Sequence, residues 1–183
     1  MAENIGLGCD QFTFAVYIAN RPNMLEYQQL SNITPLTTSE IFTIGQACGN
    51  GWRKVFNVYA KLLFALEPKV FPFTQLAPTW QKYRDDFLLQ NNSQTTLLFS
   101  APLLSPQVDK QQNTLHIICG KTHAKKLINS GKLDCQLTWL DDEFAIDRVN
   151  KLVVCPYFDY RQLSNNKIER LATLLLELKL GLS

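Results

Sequence analysis

The chain has 183 residues, 46% of them hydrophobic and 19% charged, with a net charge of +2. A length of this order buries enough apolar surface for one α/β domain to stand without disulfides or a structural metal. The balance excludes a membrane-spanning protein, because no apolar run approaches the roughly 20 residues that a transmembrane helix needs; it also gives no overall basic field, so any nucleic-acid surface must come from local patches.

The opening segment MAENIGLGCDQF carries an early acid and lacks the basic start and apolar centre of a signal peptide, which points to the cytoplasm. Cys9, Cys48, Cys119, Cys135 and Cys155 are odd in number and widely spaced, and they read as reduced thiols in or near the core. With no CxxC pair and only His116 and His123 as imidazoles, neither a metal nor a cofactor is expected.

Taken in order, Phe12 to Ala19 is rich in β-branched and aromatic residues and stops at Asn20-Arg21-Pro22-Asn23, giving the first core strand. Met24 to Phe42 lacks sustained periodicity and reads as a long ordered loop with a short helix. Trp52, Val55, Phe56, Tyr59, Leu62, Leu63 and Leu66 recur at helical spacing, so a long amphipathic helix runs from Gly51 to about Glu67. Pro78 fits the first turn of a second helix with Trp80, Tyr83, Phe87 and Leu88 on one face, closed by Asn91-Asn92-Ser93.

Thr95 to Ser100 and Thr114 to Cys119 read as two buried strands separated by a loop containing proline and glutamine. Gly120 then opens a short helix, Lys121 to Ser130, that turns Ala124, Leu127 and Ile128 inward and ends at Gly131. Gln136 to Leu140 is a short strand or an extended connector. Lys151 to Cys155 is the fourth strong strand, stopped by Pro156. A last helix, Asn166 to Leu180, follows the cap offered by Ser164 or Asn165. Strands alternate with helices throughout, so the economical fold is α/β around a short, mostly parallel, four-stranded sheet.

In such a sheet, ligands bind beyond the carboxyl ends of the strands. Those ends carry Asn20-Arg21-Pro22-Asn23, Gly120-Lys121-Thr122-His123, and the loop from Cys155 through Tyr157, Phe158 and Tyr160 to Arg161. Tyr157, Phe158, Tyr160 and Asn20 can stack a base and read its edge; the alternative is that Phe158 and Tyr160 plug the sheet end. Lys121, Lys125, Lys126 and Lys132 form a basic stretch, followed by the acids Asp134, Asp141, Asp142, Glu143 and Asp147, which suggests a binding face beside a solvated one. Gly49-Asn50-Gly51 opens the long helix with Arg53 and Lys54 in its first turn, where free backbone N–H groups attract anions; an ordinary helix start is the alternative. There is no Walker loop, GxGxxG fingerprint or GxSxG elbow. His116 lies within a predicted buried strand and His123 on an exposed helix start, so no hydrolase triad is expected.

The segments YIANRPN, GQACGNGWRKVFNVYAKLL, LHIICGKTHAKKL and VVCPYFDYRQLS occur in that order. In layout they resemble the uracil-DNA glycosylase superfamily. The resemblance implies a three-layer α/β/α fold, DNA or a nucleobase ligand as partner, and Asn20 as the residue that orients the attacking water. It places Cys155 where the family has a histidine that stabilises the leaving uracil anion, and Tyr157 in place of a serine that contacts DNA phosphate, which leaves Arg161 for that contact. A thiol is a poor donor to an oxyanion, and loss of one such donor costs about two to three powers of ten in rate, so base excision is expected to be weak or lost. Two other functions fit the same residues: a non-catalytic protein-interaction domain whose pocket is filled by Tyr157, Phe158 and Tyr160, and an enzyme acting on a small phosphorylated metabolite through the Gly49 to Lys54 turn.

Overall fold

The computed structural model describes residues 3–104 and 113–182. Part of the loop containing proline and glutamine lies outside the described residues. The class is α/β, but the sheet is not the short, four-stranded, mostly parallel one expected: among the described residues it has eight strands in the order β3-β1-β4-β2-β5-β8-β7-β6 and is mixed. The strands are β1 (Gly6–Gly8), β2 (Phe14–Tyr17), β3 (Ile33–Thr34), β4 (Thr95–Leu98), β5 (Leu115–Cys119), β6 (Thr138–Trp139), β7 (Ala145–Asp147) and β8 (Leu152–Cys155). The helices are α1 (Leu25–Gln28), α2 (Glu40–Cys48), α3 (Asn50–Ala65), α4 (Trp80–Asp86), α5 (Lys121–Asn129) and α6 (Asn165–Leu180).

The four apolar runs read from the sequence are β4, β2, β5 and β8, and they lie side by side in parallel at the centre. The extra strands enlarge the sheet at both edges. β1 pairs antiparallel with β4 and carries the two-residue β3; β7 pairs antiparallel with β8 and carries β6. β6 falls within Gln136 to Leu140, read as a short strand or a connector; the other three lack the length or β-branched run that marks a strand in sequence and are held by backbone pairing to distant partners. Gly6-Leu7-Gly8 depends on its glycines. A Cβ at Gly6 would lie 2.2 Å from the Leu97 carbonyl oxygen, and one at Gly8, where φ is +129°, 2.3 Å from that of Thr95. Short edge strands also limit pairing with other chains.

Period-two alternation sorts the central strands onto two faces. Phe14, Val16, Leu97, Leu115, Ile117, Val153 and Cys155 pack with α2, α3, α4 and α6 on one face. Ala15, Tyr17, Leu98, Ile118, Leu152 and Val154 pack with Ala124 and Leu127 of α5 on the other. The long helix α3 is tied to the sheet beneath it by a buried polar bond, since Tyr59 Oη donates to the Thr96 carbonyl at 2.8 Å. Helix α2 occupies part of what reads as a loop, as EIFTIGQAC has two β-branched isoleucines, a threonine and a glycine and is a weak helix former. Packing stabilises it: Gly45 lets α3 come close, and a Cβ there would sit 3.6 Å from Arg53 Cβ.

Topology places the crevice. From β2 the chain crosses to β4 on one side, whereas from β5 it crosses to β8 on the other. The carboxyl ends of β2 and β5 are therefore adjacent ends from which the connections diverge, the arrangement that opens a ligand crevice in α/β sheets. Among the described residues no helix is long and apolar enough to cross a membrane.

Candidate functional site at the carboxyl edge of the sheet

A cleft of about 530 Å³ lies at this edge, lined by Ala19 after β2, Cys119 to His123 around the end of β5, Pro156, Tyr157, Arg161 and Gln162 after β8, Asp142 and Glu143 between β6 and β7, and Lys126 and Lys167 on helices α5 and α6. That volume falls within the range of small-molecule sites. Gly120, with φ of 92°, turns the chain directly from β5 into α5, so the first N–H groups of the helix begin at the cleft.

Three helices begin at this edge: α3 after the connection from β2, α5 after β5, and α6 after β8. None has an acidic residue in its first turn and none has a side-chain cap at its N-cap. They carry Arg53 and Lys54, Lys121, and Lys167 there instead. A cation at a helix amino terminus opposes the macrodipole at a cost of about 0.3 to 1 kcal/mol. Of the three, only α5 starts on the cleft with a lysine that no described carboxylate neutralises.

Some of the cations are already paired. Asp159 is the hub of the loop after β8: its carboxylate receives the Arg161 backbone N–H at 2.9 Å and lies 3.2 Å from the Arg161 guanidinium and 3.4 Å from Lys54 Nζ. The Arg161 side chain and backbone donors, with Lys54 beyond them, hold the Asp159 carboxyl down at about 2. Lys54 also stands 5.1 Å from the centroid of the exposed Tyr160 ring. Lys167 pairs with Glu143 at 2.8 Å. Lys121 and Lys126 form no ion pair with any described carboxylate. His123, half-buried in the first turn of α5, has its pKa lowered by burial and by Lys126, which favours the neutral imidazole; its Nε2 has no hydrogen-bond partner among the described residues.

The expected site residues divide. Lys121, Tyr157 and Arg161 meet around the cleft, and Asn20 joins them at its border, where its Oδ1 accepts a hydrogen bond from Tyr157 Oη at 3.1 Å. Arg21 turns away: one guanidinium nitrogen donates to the carbonyls of Tyr27, Gln28 and Leu30, and the group lies 5.5 Å from the Phe99 ring centroid, so it clamps the chain around α1. Cys155 lies under the sheet edge, fully buried, with its Sγ donating to the Ile118 carbonyl at 3.8 Å and its pKa pushed up by burial. Phe158 is also fully buried and packs edge-on against Tyr59 at 5.9 Å between centroids. It plugs the sheet end, whereas Tyr157 is half-buried at the cleft and Tyr160 is exposed.

Gly49, Asn50 and Gly51 form an exposed corner between α2 and α3, with φ of 97° at Gly49. Arg53 lies in a second cleft of about 520 Å³ between α2, α3 and α4, beside Arg84, whose guanidinium is already bound to Asn57 and Asp85. Of the residues in this turn, Lys54 alone reaches toward the main site, through Asp159 and Tyr160.

Asp142, Glu143, Gln162 and Lys167 were not expected at the site. They come from the β6–β7 hairpin, the loop after β8 and the start of α6, and only the pairing of β7 beside β8, with Ala145 opposite Val154, carries the hairpin tip to this edge. All five cysteines are free thiols, and no group of three or more metal-ligating side chains gathers among the described residues.

No curated protein and no solved structure matches the chain. The sequence model of one family, DUF6942, matches residues 5–176, and the chain belongs to that family, whose function is unknown.

Proposed function

We propose that this protein binds a nucleobase-bearing phosphate ester, as a free nucleotide or within a single nucleic-acid strand, in the cleft at the carboxyl edge of the sheet. The observation that carries the reading is the start of α5, which opens on the cleft with no acid in its first turn and with Lys121 and Lys126 in no ion pair among the described residues. At the starts of α3 and α6, Lys54 and Lys167 are already paired with Asp159 and Glu143, so the charge left for an anion is at α5, where a phosphate meets backbone donors, Lys121 and Lys126 together. Tyr157 supplies an aromatic wall for a base. The layout likeness to uracil-DNA glycosylases supports a nucleobase as the second part of the ligand. Base excision is left out of the proposal because Cys155 is sealed beneath the cleft. Five free thiols fit a protein working in the reducing cytoplasm.

The test is binding of a fluorescent single-stranded oligonucleotide and of nucleoside monophosphates across a salt series. Affinity for the oligonucleotide should fall with salt, with a slope of about 0.7 per phosphate neutralised. No binding at low salt would remove the proposal.

Arg161 and Asp159 sharpen it. Arg161 is engaged by Asp159, so Arg161→Ala should weaken binding by no more than about threefold, in line with the small worth of exposed pairs. Asp159→Asn releases both Lys54 and Arg161 and should tighten binding by about two- to fivefold in the same assay. Weaker binding by the Asp159 variant would show that the hub is needed to shape the site rather than to neutralise it.

A further inference from the structure

Charge is distributed unequally around the cleft. On the α5 side stand Lys121 and Lys126, unpaired, with the open helix start. On the hairpin side stand three acids in a row, and the fold treats them differently. Asp141 is tied back: its carboxylate accepts the N–H groups of Glu143 and Phe144, each at 2.8 Å, and pairs with Arg170, whose guanidinium lies 4.4 Å from the Phe144 ring centroid. Glu143 is committed to Lys167. Asp142, between them, accepts no hydrogen bond and forms no ion pair among the described residues, although it lines the same cleft as two unpaired lysines. The hairpin tip is therefore tied down on both sides of Asp142, whose exposed carboxylate stays free to meet a donor at the cleft.

Unpaired charges of both signs across one cleft, Lys121 and Lys126 against Asp142, select a ligand with both an anion and a donor edge. A phosphate near Asp142 is disfavoured by like charge, so the phosphate belongs at α5 and the part facing Asp142 must donate. A carboxylate is acceptor-only with two oxygens, and it is best satisfied by two adjacent N–H donors. Among nucleobases guanine presents such an edge, in N1–H and the N2 amino group.

We propose that Asp142 is the base-reading residue of this cleft and that the ligand is a guanine nucleotide, free or at a strand position, held by its phosphate at Lys121 and Lys126 and by its N1–H and N2 amino donors at the Asp142 carboxylate. The proposal rests on the nucleotide-binding reading above and narrows it to one base.

The experiment compares guanosine and inosine 5′-monophosphate, which differ by the N2 amino group, on the wild-type chain and on Asp142→Asn, by calorimetry at fixed salt. The wild type should prefer the guanosine nucleotide by roughly tenfold, the lower range for removing part of a bidentate base interaction. Asp142→Asn should remove that preference while binding inosine monophosphate as well as the wild type or better, since a repelling charge is gone. Equal affinities in the wild type overturn the assignment. So does a variant that tightens both ligands by the same factor, because Asp142 is then a general electrostatic brake. If neither nucleotide binds the folded wild-type chain and inorganic phosphate fails as well, the nucleotide-binding reading itself has fallen, and this assignment with it.

Discussion

Phe158→Ala should destabilise the fold by about 3 to 5 kcal/mol, the cost of emptying a large aromatic site in a packed core. Phe158 lies in the loop just after β8, is fully buried, and meets Tyr59 of α3 edge to face; Tyr59 in turn is hydrogen-bonded to β4. Removing the ring breaks the link that seats α3 over the strand ends. Set against a total stability of about 5 to 15 kcal/mol, a loss of that size moves the urea midpoint far or leaves the chain unfolded. Phe158→Leu should retain most of the packing and all of the ligand binding. A Phe158→Leu variant of unchanged stability that no longer binds nucleotide would place the ring in the site rather than beneath it.

The second large effect is on binding. Lys121→Ala combined with Lys126→Ala should weaken the oligonucleotide complex by about tenfold to a hundredfold, the worth of one or two charge-assisted hydrogen bonds to phosphate, and should lower the salt slope by about 0.7 for each phosphate left without its lysine. Lys121 also carries a signature in stability. It sits in the first turn of α5, where a cation opposes the macrodipole, so the single change Lys121→Ala should stabilise the free protein by about 0.3 to 1 kcal/mol while weakening binding. Opposite signs in the two assays are hard to obtain from general damage to the fold. Lys125 is the control: its ammonium lies 5.4 Å from the Trp139 ring centroid and it does not line the cleft, so Lys125→Ala should leave the salt slope unchanged.

The central strands were legible because FAVY, TTLL, LHIIC and LVVC are apolar enough to be buried on both faces and short enough to be strands. The edges were not. Gly6-Leu7-Gly8 has no strand signal of its own and lies against the β4 backbone because two glycines allow it, whereas Gln136 to Leu140, read as a short strand or a connector, does hold β6, paired with β7. The four-stranded expectation failed at this point, since edge strands borrow their conformation from neighbours that sequence periodicity cannot identify. Helix α2 was obscured for a related reason: its stability comes from packing on α3 across Gly45 and not from its own propensities.

For the site, the rule that ligands meet α/β sheets at their carboxyl ends led to Lys121, Tyr157 and Arg161. Of Phe158 and Tyr160, the two rings read as plugs of the sheet end, only Phe158 is buried, because it alone points down toward Tyr59 while Tyr160 is exposed. The acids from Asp141 to Glu143 read as a solvated face on charge alone. Their position at the cleft mouth follows from the antiparallel return of β7 along β8 and from the two ion pairs to α6, both of them long-range features. Arg21 and Cys155 sit at strand ends as the sequence indicates, but backbone carbonyls near α1 engage the first and burial closes off the second.

The central claim is that the cleft beside α5 is the ligand site, and a backbone-amide NMR titration of the full chain with guanosine 5′-monophosphate tests it most directly. The account predicts concentration-dependent shifts that cluster at Gly120 to His123 and Tyr157 to Arg161, with little change at Gly49 to Arg53. Shifts confined to the α2–α3–α4 cleft around Arg53 and Arg84, or none at all at low salt, would contradict it.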